Sequence, residues 1–229
     1  MNLLNKFLPN KRTFNLFVMF LILSFSGCFM VALRTLITLN SNYFFLIWNL
    51  FLAWIPLFLS LILIVEEIHK VAKIFFGVAW IIFYPNASYF ITDFIHISRG
   101  GYHLSSHTGI EVVVWYDFLM ISLFVFTGLL IGFLSLYLLH KKIEKKIGFH
   151  AGWRFIIAAE ILSSYGIYLG RFIRLNSWHV VTNPYNLVKS VLWSFNFETL
   201  IFVIILSFFL TLIYIALYNI SQLSKQNNY

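Results

Sequence analysis

Three separated stretches place residues capable of chemistry in a chain that is otherwise strongly apolar. The first, Tyr84–Ile97, reads YPNASYFITDFIHI and sets Asn86, Tyr89, Thr92, Asp93 and His96 among aliphatic and aromatic neighbours. The second is Trp115-Tyr116-Asp117, and the third, GIYLGRFIRLNSW, contains Arg171, Arg174 and Asn176. Carboxylates and imidazoles serve as general acids and bases, and an arginine fork holds a carboxylate or phosphate through two parallel bonds. Asp93, His96 and Asp117 are therefore the candidate catalytic groups. Arg171, Arg174, Asn86, Tyr89, Thr92 and Asn176 are the candidate ligand-binding groups. A plainer reading stands beside this one: Asp–Arg pairs that staple helix ends, with Trp and Tyr as interfacial anchors.

Metal binding is the sharpest chemical alternative. Asp93-x-x-His96 has helical i, i+3 spacing, His103, His107 and Glu111 would align if their loop were helical, and His179 could add a ligand. No HExxH motif or dense Cys/His cluster is present, and Gly100-Gly101 weakens a helix there. No metal and no cofactor is assigned.

The elements that must position these groups are membrane spans. Of 229 residues 61% are hydrophobic and only 10% charged, against about a quarter charged in a soluble domain. The apolar residues run in long blocks rather than alternating, which indicates transmembrane helices and excludes an outer-membrane barrel. The net charge of +8 comes from basic residues at helix ends, so it reads as topology and not as nucleic-acid binding. Cys28 has no partner for an internal disulfide. Ser24–Cys28 looks like a lipoprotein cleavage site, but apolar sequence continues beyond it, so a thiol in an uncleaved first helix is the reading.

These runs predict an all-α, six-helix transmembrane bundle forming one integral membrane domain over residues 1–229, with spans near 14–33, 43–65, 71–97, 112–139, 152–172 and 197–218. Val71–Tyr84 gives only about 21 Å of helix, too short to cross alone, so the third span is broken or kinked at Pro85-Asn86. A helix resuming at Ala87, with Asn86 as its cap, would put Tyr89, Asp93 and His96 on one face. Asn86-Ala87-Ser88 is then a chance glycosylation sequon. Gly128-x-x-x-Gly132 and Gly166-x-x-x-Gly170 suggest close packing of the fourth and fifth spans. Glu160, deep in the fifth, is either a hydrogen-bonded carboxyl or part of an ion or proton route.

With the N-terminus inside, Lys6, Lys11, Arg12, Lys70, Lys73, Lys141, Lys142, Lys145, Lys146, Arg154 and Lys225 are cytoplasmic. Only Arg34, Arg99, Arg171, Arg174 and Lys189 are outside, so both termini are expected in the cytoplasm. That topology brings Asp93, His96, Asp117, Arg171 and Arg174 to the same face of a cell membrane.

Taken together, PNASYFITDFIH (Pro85–His96), WYD (Trp115–Asp117), GLLIGFLSLY (Gly128–Tyr137) and GIYLGRFIRLNSW (Gly166–Trp178) resemble a bacterial membrane-protein family catalogued as domain of unknown function 1361. The resemblance covers roughly Phe83 to the end of the sixth span. It implies that Asn86, Tyr89, Thr92, Asp93, His96, Asp117, Arg171, Arg174 and Asn176 belong to the family's polar signature. It carries no activity. Family members usually have an acidic residue after NSW, where this chain has His179, which argues against an indispensable role there.

The expectation is a multi-pass membrane protein with a site for a polar or anionic group at the outer face. Three activities stay open: an enzyme acting on a lipid-linked or phosphorylated substrate, a transporter or permease component, and a non-catalytic partner of another membrane protein. The expected contacts are the bilayer and an anionic lipid headgroup or small anionic ligand.

Overall fold

The computed structural model describes residues 11–39, 41–99, 109–175 and 182–226. All regular structure among them is helical: α1 (Lys11–Thr38), α2 (Phe44–Ile64), α3 (Lys70–Phe83), α4 (Pro85–Tyr89), a 3-10 helix (Phe90–Arg99), α5 (Gly109–Ile147), α6 (Phe149–Arg171), α7 (Pro184–Trp193) and α8 (Phe197–Gln226). Five helical stretches are long and apolar enough to cross a membrane: Phe14–Thr38, Phe44–Ile64, Lys70–Ile97, Val112–Ile147 and Phe197–Leu223. Phe25, Phe29 and Phe208 are each more than 60% exposed, an arrangement that water would penalise and lipid does not.

α6, expected as a sixth span, is not among those five helices. It is 23 residues long, but Arg154, Glu160, Ser163 and Ser164 lower its hydropathy. The fold compensates by burying Glu160, Ser163 and Ser164 against α3–α5 and α8. The lysines at 141–146 lie on α5, which runs unbroken to Ile147 and turns into α6 through Gly148 alone, at φ 112°. The connection between α6 and α8 contains α7.

The third span is kinked rather than interrupted. Tyr84 keeps right-handed helical angles, and Pro85 occupies the first position of α4, where its missing N–H costs nothing. Asn86 does not cap the second piece; its Nδ2 donates to the Phe83 carbonyl at 2.9 Å. From Phe90 the backbone tightens into ten residues of 3-10 helix, long for that conformation. Its rise of about 2 Å per residue carries the chain further along the bundle than an α-helix would.

The two glycine pairs do not pack on each other. Both face α4, one from each side. A Cβ on Gly128 would meet the Phe90 ring and stand 2.6 Å from the Ala87 carbonyl oxygen, and one on Gly132 would stand 3.0 Å from Ala87 Cβ. On the opposite wall, a Cβ on Gly166 would stand 2.6 Å from Pro85 Cγ, and one on Gly170 3.2 Å from the Tyr89 ring. The missing side chains let α5 and α6 close on the kink, which fixes the direction in which the 3-10 helix leaves it. Three apolar clusters complete the core. Leu46, Leu50, Trp54, Phe90, Ile121 and Phe124 belong to one, Trp80, Tyr84, Leu136, Ile156 and Tyr214 to a second, and Ile167, Leu206 and Leu210 to a third.

Candidate functional site

Arg171, the last residue of α6, enters the bundle where the 3-10 helix presents its polar faces. In a 3-10 helix residues three apart lie in line, so Asp93 sits above His96, while Thr92 follows Tyr89, the last residue of α4. Consistent with that register, Thr92 Oγ1 donates to the Tyr89 carbonyl at 2.7 Å, and Asp93 Oδ1 lies 3.8 Å from His96 Nε2. Both lines turn toward one guanidinium. Arg171 Nη2 donates to Asp93 Oδ1 at 2.5 Å, Nε donates to Thr92 Oγ1 at 2.9 Å, and Nη1 donates to His96 Nε2 at 3.1 Å. The arginine head also lies 4.7 Å from the centre of the Tyr89 ring, within cation–π range.

A guanidinium has no lone pair to offer, so His96 Nε2 is the acceptor in its contact with Arg171. Asp93 is wholly buried and also faces Asn49 Nδ2 at 3.4 Å. One positive and one negative charge therefore cancel inside a hydrogen-bonded cluster, the condition under which a buried ion pair is tolerated.

The cluster forms the polar end of a cleft of about 510 Å³ walled by α2 and α6 and floored by the third span. Asn49, Asn86, Tyr89, Asp93, His96 and Arg171 line that end, and Trp48, Leu52, Ile81, Leu162 and Leu169 line the rest. An anion entering here meets the Arg171 fork, and must share it with Asp93. Asp93 and His96 become available as acid and base only when Arg171 turns toward such a ligand.

The other candidates lie elsewhere. Asp117 does not join this cluster: Arg34 of α1 grips it from Nε at 2.6 Å and from Nη2 at 3.1 Å. Tyr43 Oη donates to the same carboxylate at 2.7 Å. Arg34 is 7% exposed and Asp117 0%, and neither lines the cleft. Arg174 is exposed in a left-handed turn (φ 61°), where the Leu175 N–H reaches the Leu169 carbonyl at 3.1 Å. Asn176, His103, His107, His179 and the side chain of Glu111 lie outside the described residues; among those described, no group of three or more His, Cys, Asp or Glu could hold a metal.

Glu160 is buried in α6 away from the cleft, accepting from Tyr84 Oη at 2.9 Å. Its second oxygen and the hydroxyls of Ser163 and Ser164 have no hydrogen-bond partner among the described residues. Sequence reasoning passed over Asn49, Arg34 with Tyr43, and the buried His140–Tyr214 bond of 2.6 Å. Asn49 had a signal: it is the one polar side chain from Phe44 to Leu59, at a depth where such groups are expensive.

No curated protein and no solved structure matches this chain. A family model does, over residues 48–213, reaching back through most of α2 and so further than the motifs alone suggest. The chain belongs to that family, described as a protein of unknown function (DUF1361).

Proposed function

We propose that the cleft between α2 and α6 is a binding site for a polar, anionic group at the outer face of the cell membrane. The observation that supports this reading most directly is the coincidence of cavity and chemistry. The cluster of Arg171, Asp93 and His96, in which Asp93 is buried and the other two are half-buried, lines an open cleft of about 510 Å³. Pure stapling needs no cavity, and the Arg34–Asp117 pair shows how this fold staples when nothing else is asked of the charges.

In the topology that goes with this proposal α6 also crosses the bilayer, its polar face sheltered by α3–α5 and α8, giving six spans with both termini in the cytoplasm. The lysines at the start of α3 and at the end of α5, Lys70, Lys73 and Lys141–Lys146, then lie inside and the cleft opens outside. Reporter fusions in the 98–111 segment and in the α5–α6 turn check it, and a cytoplasmic 98–111 segment would overturn it.

Binding of inorganic phosphate and glycerol phosphate to the purified protein tests the site. Asn86→Ala and Asn49→Ala leave the Arg171–Asp93 pair in place and should each weaken binding about tenfold, the worth of one hydrogen bond to a charged group. Wild-type affinity in both variants and in Arg171→Gln would remove the cleft from the account. A second reading, an enzyme acting on a phosphorylated or lipid-linked substrate, draws support from Asp93 and His96 lining the same cavity. It requires turnover that Asp93→Asn abolishes while binding persists.

A further inference from the structure

The cleft is polar at one end only, and its remaining length opens sideways. Trp48 of α2, Ile81 of α3 and Leu162 of α6 all line it and are 52%, 46% and 49% exposed. One residue from each wall and one from the floor thus mark a rim that faces hydrocarbon. α2 and α6 both pack on the third span between them, so among the described residues the cleft has a floor and two walls, and no other helix lines it. From Arg171 to Leu162 the α6 wall descends about 13 Å at 1.5 Å per residue, which takes the cleft out of headgroup depth and into the acyl region. Inside it, Leu52 is 7% exposed and offers apolar surface to whatever enters.

A small hydrophilic anion has no use for this apolar length, and an ordinary annular lipid has no use for the buried Arg171 cluster. One class of molecule fits both ends. We infer that the ligand is an amphiphile, a phosphate-type head on a hydrocarbon chain, which enters from the outer leaflet through the gap between Trp48 and Leu162. Its head meets Arg171 at the polar end, competing with Asp93 for the guanidinium, and its chain lies along Leu52, Ile81 and Leu162. The inference rests on the anion-site reading above and narrows it from any anion to one bearing a chain.

The full-length protein in nanodiscs of phosphatidylcholine, given phosphatidic acid with a diazirine near the end of one acyl chain, tests it. After illumination, label should concentrate on peptides containing Leu52, Ile81 and Leu162. Unlabelled phosphatidic acid should suppress it, and glycerol phosphate at equal concentration should not. Leu162→Trp, at a half-exposed position, should cut cleft labelling about fivefold or more by narrowing the chain path. Phe208→Trp, on the far lipid-facing surface, should leave it intact. If Leu162→Trp melts early, Ile81→Trp serves as the second narrowing variant. Label spread evenly over Phe25, Ile205 and Phe208 would identify annular lipid only and overturn the inference. Protection by glycerol phosphate equal to that by phosphatidic acid would also overturn it, while leaving the anion site standing. Absence of both cleft labelling and phosphate binding would remove the two together.

Discussion

Gly166 lies directly against Pro85, so close that a methyl group on the glycine would stand 2.6 Å from the proline Cγ. Gly128 closes on the same kink from α5, where the obstacle is a backbone oxygen, that of Ala87. A proline Cγ can shift slightly by a change of ring pucker, and a carbonyl in a packed helix has no such freedom. Gly128→Ala should therefore destabilise by about 2–4 kcal/mol, at and above the usual overpacking range, and Gly166→Ala by about 1–3 kcal/mol. Gly77→Ala, with nothing within 4 Å, should be neutral or gain up to about 1 kcal/mol of helix propensity. Thermal unfolding in detergent, followed by size-exclusion fluorescence, ranks the three.

Arg34 and Asp117 should behave as a staple. Removing one partner leaves the other charge buried, at a cost of about 3–5 kcal/mol. Asp117→Asn keeps the Tyr43 bond and should cost less than Asp117→Ala. Neither variant, once folded, should alter phosphate or phosphatidic acid binding at the cleft. A binding defect in a normally melting Asp117→Asn protein would return Asp117 to the site.

The Arg171–Asp93 pair separates two roles in one double-mutant cycle. Arg171→Gln and Asp93→Asn should each destabilise by about 3–5 kcal/mol, and the double variant by clearly less than their sum, because no isolated charge remains. Binding should not recover with stability. A stable double variant that binds as the wild type would show that the pair serves only the fold.

Ser135 relays one hydrogen bond through three helices, receiving from Trp80 Nε1 at 2.8 Å and donating to the Pro56 carbonyl at 2.8 Å. Ser135→Ala strands the indole N–H in the core and should cost about 1–3 kcal/mol. Ser122→Ala on the same helix, a half-buried position, is the control and should melt within about 0.5 kcal/mol of the wild type.

The helical character of the chain and most of its spans were legible because hydrophobic run length is a local property. α6 was legible as a helix but blurred as a span, since its polar residues become acceptable only when neighbours bury them. Which charge meets which was not legible. Asp117 and Arg171 share an end of the bundle, and only the packing of α1 on α5 reveals that Arg34 claims the carboxylate first. The polar face of the third span was drawn with the α-helical turn of 3.6 residues. The tighter 3-10 turn that begins at Phe90 instead aligns Asp93 with His96. The glycine spacings were visible, and their partner was not, because a small residue announces a close approach without naming what approaches.

The glycine clamp on α4 also bears on how the protein is made. α3 is too short to hold a transmembrane position alone, and the surfaces that fix its continuation belong to α5 and α6, which leave the ribosome later. The third span can therefore settle only after translation has passed Gly170, so the emerging chain spends an interval with Asp93 lacking its arginine. Nascent chains stopped after Ile147 should leave a cysteine at position 93 open to a water-soluble maleimide, and chains extended past Arg171 should close it. Equal labelling of both lengths would show that the span settles on its own.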